Sequence, residues 1–213
     1  MSEAGSEGRA RVAILLSGRG SNFSALHAAV ERGEVPARIV LVASDRPDAP
    51  GLARAEELGL ATAAVPRRKG ESRGKHEERL LAALAEAEAE WICLAGYMRL
   101  LTSKLIGRYP QRILNIHPSL LPAFPGLDAQ RQALEHGVRI AGCTVHLVDE
   151  GLDSGPIVEQ RAVPVRDDDG VEALAARILE QEHQAYPAAL ARLLTERWQV
   201  DGRRVCFEAQ DQA

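Results

Sequence analysis

Apolar and polar positions follow two different periods along this chain of 213 residues. Short continuous apolar runs, each about as long as a buried strand, alternate with longer segments whose apolar residues recur every three or four positions. Residues 12–16, 39–43, 61–65, 91–95 and 113–117 read as five strands. Between them, 22–31 reads as a helix ending at Gly33, 51–58 as a short helix stopped by Gly59, and 75–90, rich in Ala, Leu and Glu, as a longer helix. The stretch 44–50 is rich in turn formers. Such alternation predicts a parallel sheet covered by helices.

The second half changes character. Residues 143–148 alternate, with Val145 and Leu147 set against Thr144, His146 and Val148, and 156–165 alternates in part. The turn Asp153-Ser154-Gly155-Pro156 lies between them, so an antiparallel extension of the sheet is expected. Residues 171–196 read as a long amphipathic helix that Pro187 kinks or divides, and 198–207 as one last short strand. No linker, repeat or low-complexity block interrupts the chain. A single domain over 11–207 is therefore expected, with tails at 1–10 and 208–213. The fold class is α/β: a single open, twisted, Rossmann-like sheet, parallel in its N-terminal half and antiparallel in its C-terminal strands, with helices on both faces.

Composition narrows the function classes. With 46% apolar residues the chain can bury a sizeable core. A net charge of −4 argues against nucleic acid as the main partner, so an anionic ligand needs a local site. Cys93, Cys143 and Cys206 are an odd number and form no CxxC pair, which predicts buried free thiols in a reducing, cytoplasmic setting. The first ten residues lack the basic and apolar regions of a signal peptide, and no apolar run is long enough to span a bilayer, so no membrane partner is expected.

The chemistry concentrates in Asn115-Ile116-His117-Pro118-Ser119-Leu120-Leu121-Pro122. On a strand, Asn115 and His117 share one face, and the prolines end the strand behind them. An amide donor beside an imidazole suits stabilisation of an oxyanion or movement of a proton. Equally, a polar residue at a strand end is often a cap or a packed histidine. Ser17-Gly18-Arg19-Gly20-Ser21-Asn22 follows the first strand and opens the first helix, where an open α/β sheet binds phosphate. It is neither a Walker loop nor a dinucleotide fingerprint, since Phe23 stands at the third glycine position. It reads as a mononucleotide or sugar-phosphate cradle, or as a plain tight turn. Asp153 is either a local turn device or a carboxylate that folds back toward His117. Of the other histidines, His27 and His136 fall on predicted helices and His76 opens a charged, solvated one. His146 either faces the site or packs, and His183 follows Glu182. No HxH or HExxH pattern supports a metal. The basic run 67–69, with Arg73 and Lys75 beyond it, is a solvated loop or meets an anionic ligand tail.

Taken together, residues 17–22, Leu94-Ala95-Gly96-Tyr97-Met98-Arg99, 115–122 and Leu152-Asp153-Ser154-Gly155-Pro156 resemble the folate-dependent formyltransferase family, in consistent order over 11–190. The 17–22 loop resembles the branch acting on glycinamide ribonucleotide in purine synthesis. The resemblance implies 10-formyltetrahydrofolate as co-substrate, no metal, small-molecule partners only, and a monomer or homodimer. It implies Asn115, His117 and Asp153 as the catalytic trio. Gly20, Ser21 and Asn22 would hold the ribotide phosphate, and Glu182 the ribotide. Arg73, Met98, Arg99, Leu100, Leu101, Asn115, Asp149 and Asp153 would contact the folate, with 149–153 closing over the pterin. The N-terminal half would bind ribotide and the C-terminal half folate. Two departures stand out: Asp128 where the family commonly has histidine, and Ser154 where it often has glycine.

Overall fold

The computed structural model describes residues 8–208. The expected tails fall outside them except for 8–10 and 208, and Ala10 already opens a strand. The chain divides into two compact units, one ending at Leu114 and the other beginning at Asn115. Nine strands follow the order β3-β2-β1-β4-β5-β6-β7-β9-β8. The open α/β sheet expected from the sequence is therefore present, parallel first and with antiparallel pairs toward the C-terminus.

In the first unit, β1 (Ala10–Leu16), β2 (Ala37–Ser44), β3 (Thr62–Ala64) and β4 (Trp91–Leu94) run parallel. Every residue of β1 from Val12 to Leu16 is at most 1% exposed. Both of its faces are covered, which explains a continuous apolar run rather than an alternating one. Helices α1 (Ser21–Glu31), α2 (Pro50–Glu57), α3 (Arg73–Glu86) and α4 (Ser103–Arg108) connect the strands. Helix α1 starts from Gly20 at φ +74°, where an added Cβ would sit 2.9 Å from Gly51 Cα, so this turn requires glycine.

Helix α3 begins two residues before the expected 75, because the Ser72 hydroxyl caps it and accepts from Lys75 N at 3.3 Å. It ends four residues before the expected 90. There the chain turns to meet β1: Arg11 N donates to Glu90 Oε2 (2.8 Å), Arg11 Nε to Glu88 O (2.7 Å) and Glu90 N to Arg11 O (2.8 Å). His76 is not solvated as its charged surroundings suggested. It is 2% exposed, and its Nε2 lies 2.7 Å from Val65 O. Helix α4 has only six residues, too few to show a period.

Strand β5 (Ile113–His117) matches its expected bounds and crosses the unit boundary. The second unit continues with α5 (Ala129–Glu135), β6 (Ile140–Leu147), β7 (Ile157–Pro164), α6 (Val171–Thr195), β8 (Trp198–Asp201) and β9 (Arg204–Phe207). The expected last strand is in fact a hairpin of two, reversing at Gly202 with φ +58°. Asp201-Gly202 is the turn signal that marks it. Helix α6 runs unbroken for 25 residues, so Pro187 does not divide it. Leu174, Ile178, Glu182, Ala185, Ala189 and Leu193 form its buried stripe. Strand β6 alternates in sequence, yet 141–147 are all buried. Cys93 and Cys143 are buried, Cys206 is partly so, and none of the three is in a disulfide; burial pushes the Cys143 thiol up to about 12.

One hydroxyl fixes the turn after β5. Thr144, 0% exposed on β6, donates to Ser119 O (2.7 Å) and accepts from Leu121 N (3.0 Å) and Gln160 Nε2 (2.9 Å). Its single proton and both lone pairs are used. Gln160 Nε2 also donates to Leu121 O at 2.9 Å. Thr144→Val keeps the shape but strands Ser119 O and Leu121 N. Urea unfolding should show a loss of about 1–3 kcal/mol; an unchanged midpoint would refute this account of the turn.

Two carboxylates tie loops to helices. Glu71 accepts from Arg79 Nε and Nη2 (3.0 and 2.8 Å) and from Arg68 N (2.8 Å), and Arg79 foremost holds its carboxyl down to about 2. Arg177, then the Arg166 N–H, hold Asp169 down to about 2. A depressed value in the folded state gives stability that is complete above the ordinary value and lost as pH falls through the depressed one. Stability should therefore decline from about pH 4.5 toward about 2. A Glu71→Gln, Asp169→Asn double variant should show a shallower acid slope in chemical denaturation; a slope equal to the parent's would refute the assignment.

Candidate active site

In the second unit, β5 delivers Asn115 and His117, and Pro118 ends the strand. The following turn brings its own backbone to the imidazole: His117 Nε2 lies 2.9 Å from Phe124 O. His117 Nδ1 lies 3.3 Å from Asp153 Oδ2, an oxygen that also accepts from Gly126 N at 2.8 Å. A carbonyl and a carboxylate thus face the two ring nitrogens, and both are hydrogen-bond acceptors. Asp153 itself has φ +48°, and its carbonyl accepts from Arg203 Nη2 at 3.3 Å. Two residues on, a Cβ at Gly155 would sit 1.9 Å from Leu147 O, so only glycine lets the chain pass there.

Asn115 joins this group through a fourth residue, His146. Asn115 Nδ2 is 3.1 Å from His146 Nε2, which is 3.8 Å from Asp153 Oδ1. His146 Nδ1 faces Leu147 O at 2.9 Å and so carries the hydrogen, leaving Nε2 to accept from the Asn115 amide. Burial is the main cause pushing the His146 imidazole below its usual value, against the Leu147 carbonyl and Asp153, so the neutral form is favoured. The structure thus gathers Asn115, His117 and Asp153 and adds His146, which the sequence left open between facing the site and packing. The one signal for it was its position two residues from Thr144 on β6. A register shift between Val145 and His146 re-aims that end of the strand.

The neighbouring loop is tied by Asp149, whose Oδ1 accepts from Ser154 Oγ (2.7 Å) and Gly151 N (3.1 Å). Ser154, a departure from the resembled family, therefore has a use as a clasp. Asp128, the other departure, is the left-handed residue before α5 and makes no side-chain cap bond. Glu182 is 7% exposed on α6.

In the first unit, Gly20, Ser21 and Asn22 form the start of α1. The first N–H groups of a helix lack intrahelical partners and lie at the positive end of its dipole, which suits an anion. The loop before them is braced: Ser17 N donates to Gly96 O (3.1 Å) and Gly51 N to Gly18 O (3.0 Å). The same unit holds a pocket of about 250 Å³ that brings together Arg73, Met98, Arg99, Leu100 and Leu101. Arg67, His76, Glu77 and Tyr97 complete its wall. Glu77, buried on α3, accepts from Thr102 N at 2.7 Å and from the Thr102 hydroxyl, anchoring the end of the 98–101 segment. Burial first, then Asp45, raise the Tyr97 phenol, so it stays protonated. Met98 and Leu100 are 68% and 57% exposed and give the pocket an apolar rim.

Among the described residues no group of three or more His, Cys, Asp or Glu side chains is placed to hold a metal ion, and no helix is long and apolar enough to cross a membrane.

Comparison with known proteins identifies the family. The chain is 41% identical to the phosphoribosylglycinamide formyltransferase of Bacillus subtilis, over 86% of this chain and 94% of that protein. It is 44% identical over 89% of its length to the trifunctional purine biosynthetic protein adenosine-3 of Drosophila melanogaster. It spans 14–20% of the length of such trifunctional relatives. The crystal structure of glycinamide ribonucleotide transformylase 1 from Symbiobacterium toebii superposes with a TM-score of 0.91 at 47% identity, over 93% of this chain and 94% of that one. The profile described as "Formyl transferase" matches residues 10–190, and the chain belongs to that family.

Proposed function

We propose that this chain transfers the formyl group of 10-formyltetrahydrofolate to the primary amine of N1-(5-phosphoribosyl)glycinamide, releasing tetrahydrofolate, as a step of purine synthesis. The observation that carries the reading is the imidazole of His117 set between the Phe124 carbonyl and the Asp153 carboxylate, with Asn115 joined to the same group through His146. No metal is needed. The reduced thiols suit a cytoplasmic enzyme, acting as a monomer or homodimer.

The amine attacks the formyl carbon and gives a tetrahedral oxyanion. Asn115 spends one amide hydrogen on His146 and has a second to give to that oxygen. His117, with both ring nitrogens engaged in the resting geometry, acts through its positive charge, and Nε2 can exchange Phe124 O for the oxyanion. Losing one oxyanion donor costs on the order of 3 kcal/mol in the barrier. Asp153 holds the imidazolium and helps pass the amine proton, through water, to the departing folate nitrogen. The intermediate then collapses, breaking the bond to that nitrogen. No covalent enzyme intermediate is required.

The start of α1 takes the ribotide phosphate through Gly20, Ser21 and Asn22, and Glu182 takes a polar group of the ribotide. Arg73, Arg99 and the 98–101 segment take the folate. At about 250 Å³ the first unit's pocket is smaller than the usual range for drug-sized ligands, so it holds one portion of the folate. Its arginines suit a carboxylate-bearing portion. Asp149 closes the loop over the pterin.

The rival reading is hydrolysis of the formyl donor, with water in place of the amine. It leaves the anion cradle without a purpose. Folate release from 10-formyltetrahydrofolate, followed by absorbance, separates the two. Release should require the ribotide; release without it would make the chain a hydrolase, and no release in either case would remove the ribotide assignment.

Asp153→Asn and His117→Ala should each lower kcat by roughly 100-fold or more, while the ribotide KM moves only a few-fold. Steady-state kinetics with both substrates varied would read this split. An unchanged kcat in either variant would remove that residue from the mechanism.

A further inference from the structure

The carboxylate of Asp45 lies just beyond β2 with its side chain only 5% exposed. A buried charge persists when paired and hydrogen-bonded, and its two partners come from different functional segments. Ser17 Oγ, in the β1–α1 loop, donates to Asp45 Oδ1 at 2.5 Å. Arg99 Nε, on the pocket wall, donates to Asp45 Oδ2 at 2.7 Å. With its single proton committed to Asp45, the Ser17 hydroxyl turns a lone pair outward and accepts from Met98 N at 2.9 Å. The backbone repeats the link, Ser17 N donating to Gly96 O at 3.1 Å. The first residue of the anion loop and the pocket segment 96–99 thus share one network centred on the buried Asp45, while Glu77 pins that segment beyond its far end at Thr102.

We propose that Asp45 is a positioning residue that aims Arg99 into the folate-side pocket and, through Ser17, couples that pocket to the anion loop. Asp45 does not line the pocket. It fixes Arg99 by Nε, and among the described residues Arg99 forms no other ion pair, so its terminal nitrogens are left for a ligand carboxylate. A ligand that orders either the loop or segment 96–99 orders the other, so the second ligand meets a site already set. This inference rests on the two-substrate reading above.

Titration calorimetry on the intact chain tests it with tetrahydrofolate and the unformylated ribotide, a pair that cannot react. Each ligand should tighten the other at least about 5-fold, the lower end of common coupling strengths. In Asp45→Asn an acceptor for Ser17 survives but the negative charge that holds Arg99 is lost. The coupling should fall below about 2-fold, with ribotide affinity in the absence of folate nearly unchanged. Ser17→Ala, which cuts the loop end of the network, should lose the coupling as well and serves if Asp45→Asn does not fold. Coupling absent in the parent, or undiminished in both variants, overturns the proposal. If the parent still transfers the formyl group in either of those cases, the proposed function stands without it; failure of both ligands to bind overturns the function and the coupling together.

Discussion

The second unit's site depends on the turn that follows β5, and that turn depends on one buried hydroxyl. Phe124 O and Gly126 N, the backbone groups that face His117 and Asp153, both belong to it. Neither lies in a helix or strand ladder that would fix it by repetition. Thr144 supplies the missing constraint, holding Ser119 O and Leu121 N with one oxygen while Gln160 of β7 locks that oxygen from the other side. The geometry at the imidazole is thereby inherited from the rigid β6–β7 pair. A site on loops gains accuracy only when a scaffold fixes the loop.

A second constraint works through polar groups buried in pairs. Glu77 closes α3 onto Thr102, and Asp45 joins Ser17 to Arg99. Breaking such a pair strands a charge in a poorly solvated place, so each resists local rearrangement more than a surface ion pair does. The exposed pairs, such as Arg32–Glu34 and Arg54–Glu57, have no comparable hold on the fold. The cores pack the strands and helices; these few buried carboxylates decide where the connecting loops stop.

Much of the architecture was legible in the sequence because it rests on local signals. The bounds of β5 were read from an apolar run ended by proline, and α1 from a glycine-rich turn. The placing of Asn115 and His117 followed from strand periodicity, but their roles and the part of Asp153 rested on family resemblance. What escaped was set by distant partners. Ser17 meets Asp45 across 28 positions and Met98 across 81. His76 looked solvated because its helix is charged, whereas Val65 O takes its ring nitrogen into the interior. His146 looked ambiguous because strand alternation cannot tell a core face from a site face when 141–147 are all buried. The two-stranded hairpin at the C-terminus, by contrast, was announced by Asp201-Gly202 and simply not separated into two short strands.

The protonation of His146 shows how burial can serve chemistry it never touches. An asparagine amide has a donor end and an acceptor end that fit the same space, so something must select between them. A neutral His146 does so. Its Nδ1–H is committed to Leu147 O, and its Nε2 lone pair accepts only the NH2 end of Asn115. Asp153 Oδ1, 3.8 Å from Nε2, pulls the other way, since a carboxylate favours a protonated ring. Were that pull to win, Nε2 would become a donor, Asn115 would turn its oxygen toward it, and the open side of the amide would rearrange. Burial outweighs the carboxylate and keeps the ring neutral. The same carboxylate can therefore stand 3.3 Å from the His117 ring and still leave its more distant neighbour, His146, neutral, so that the Asn115 amide keeps its NH2 end turned toward His146.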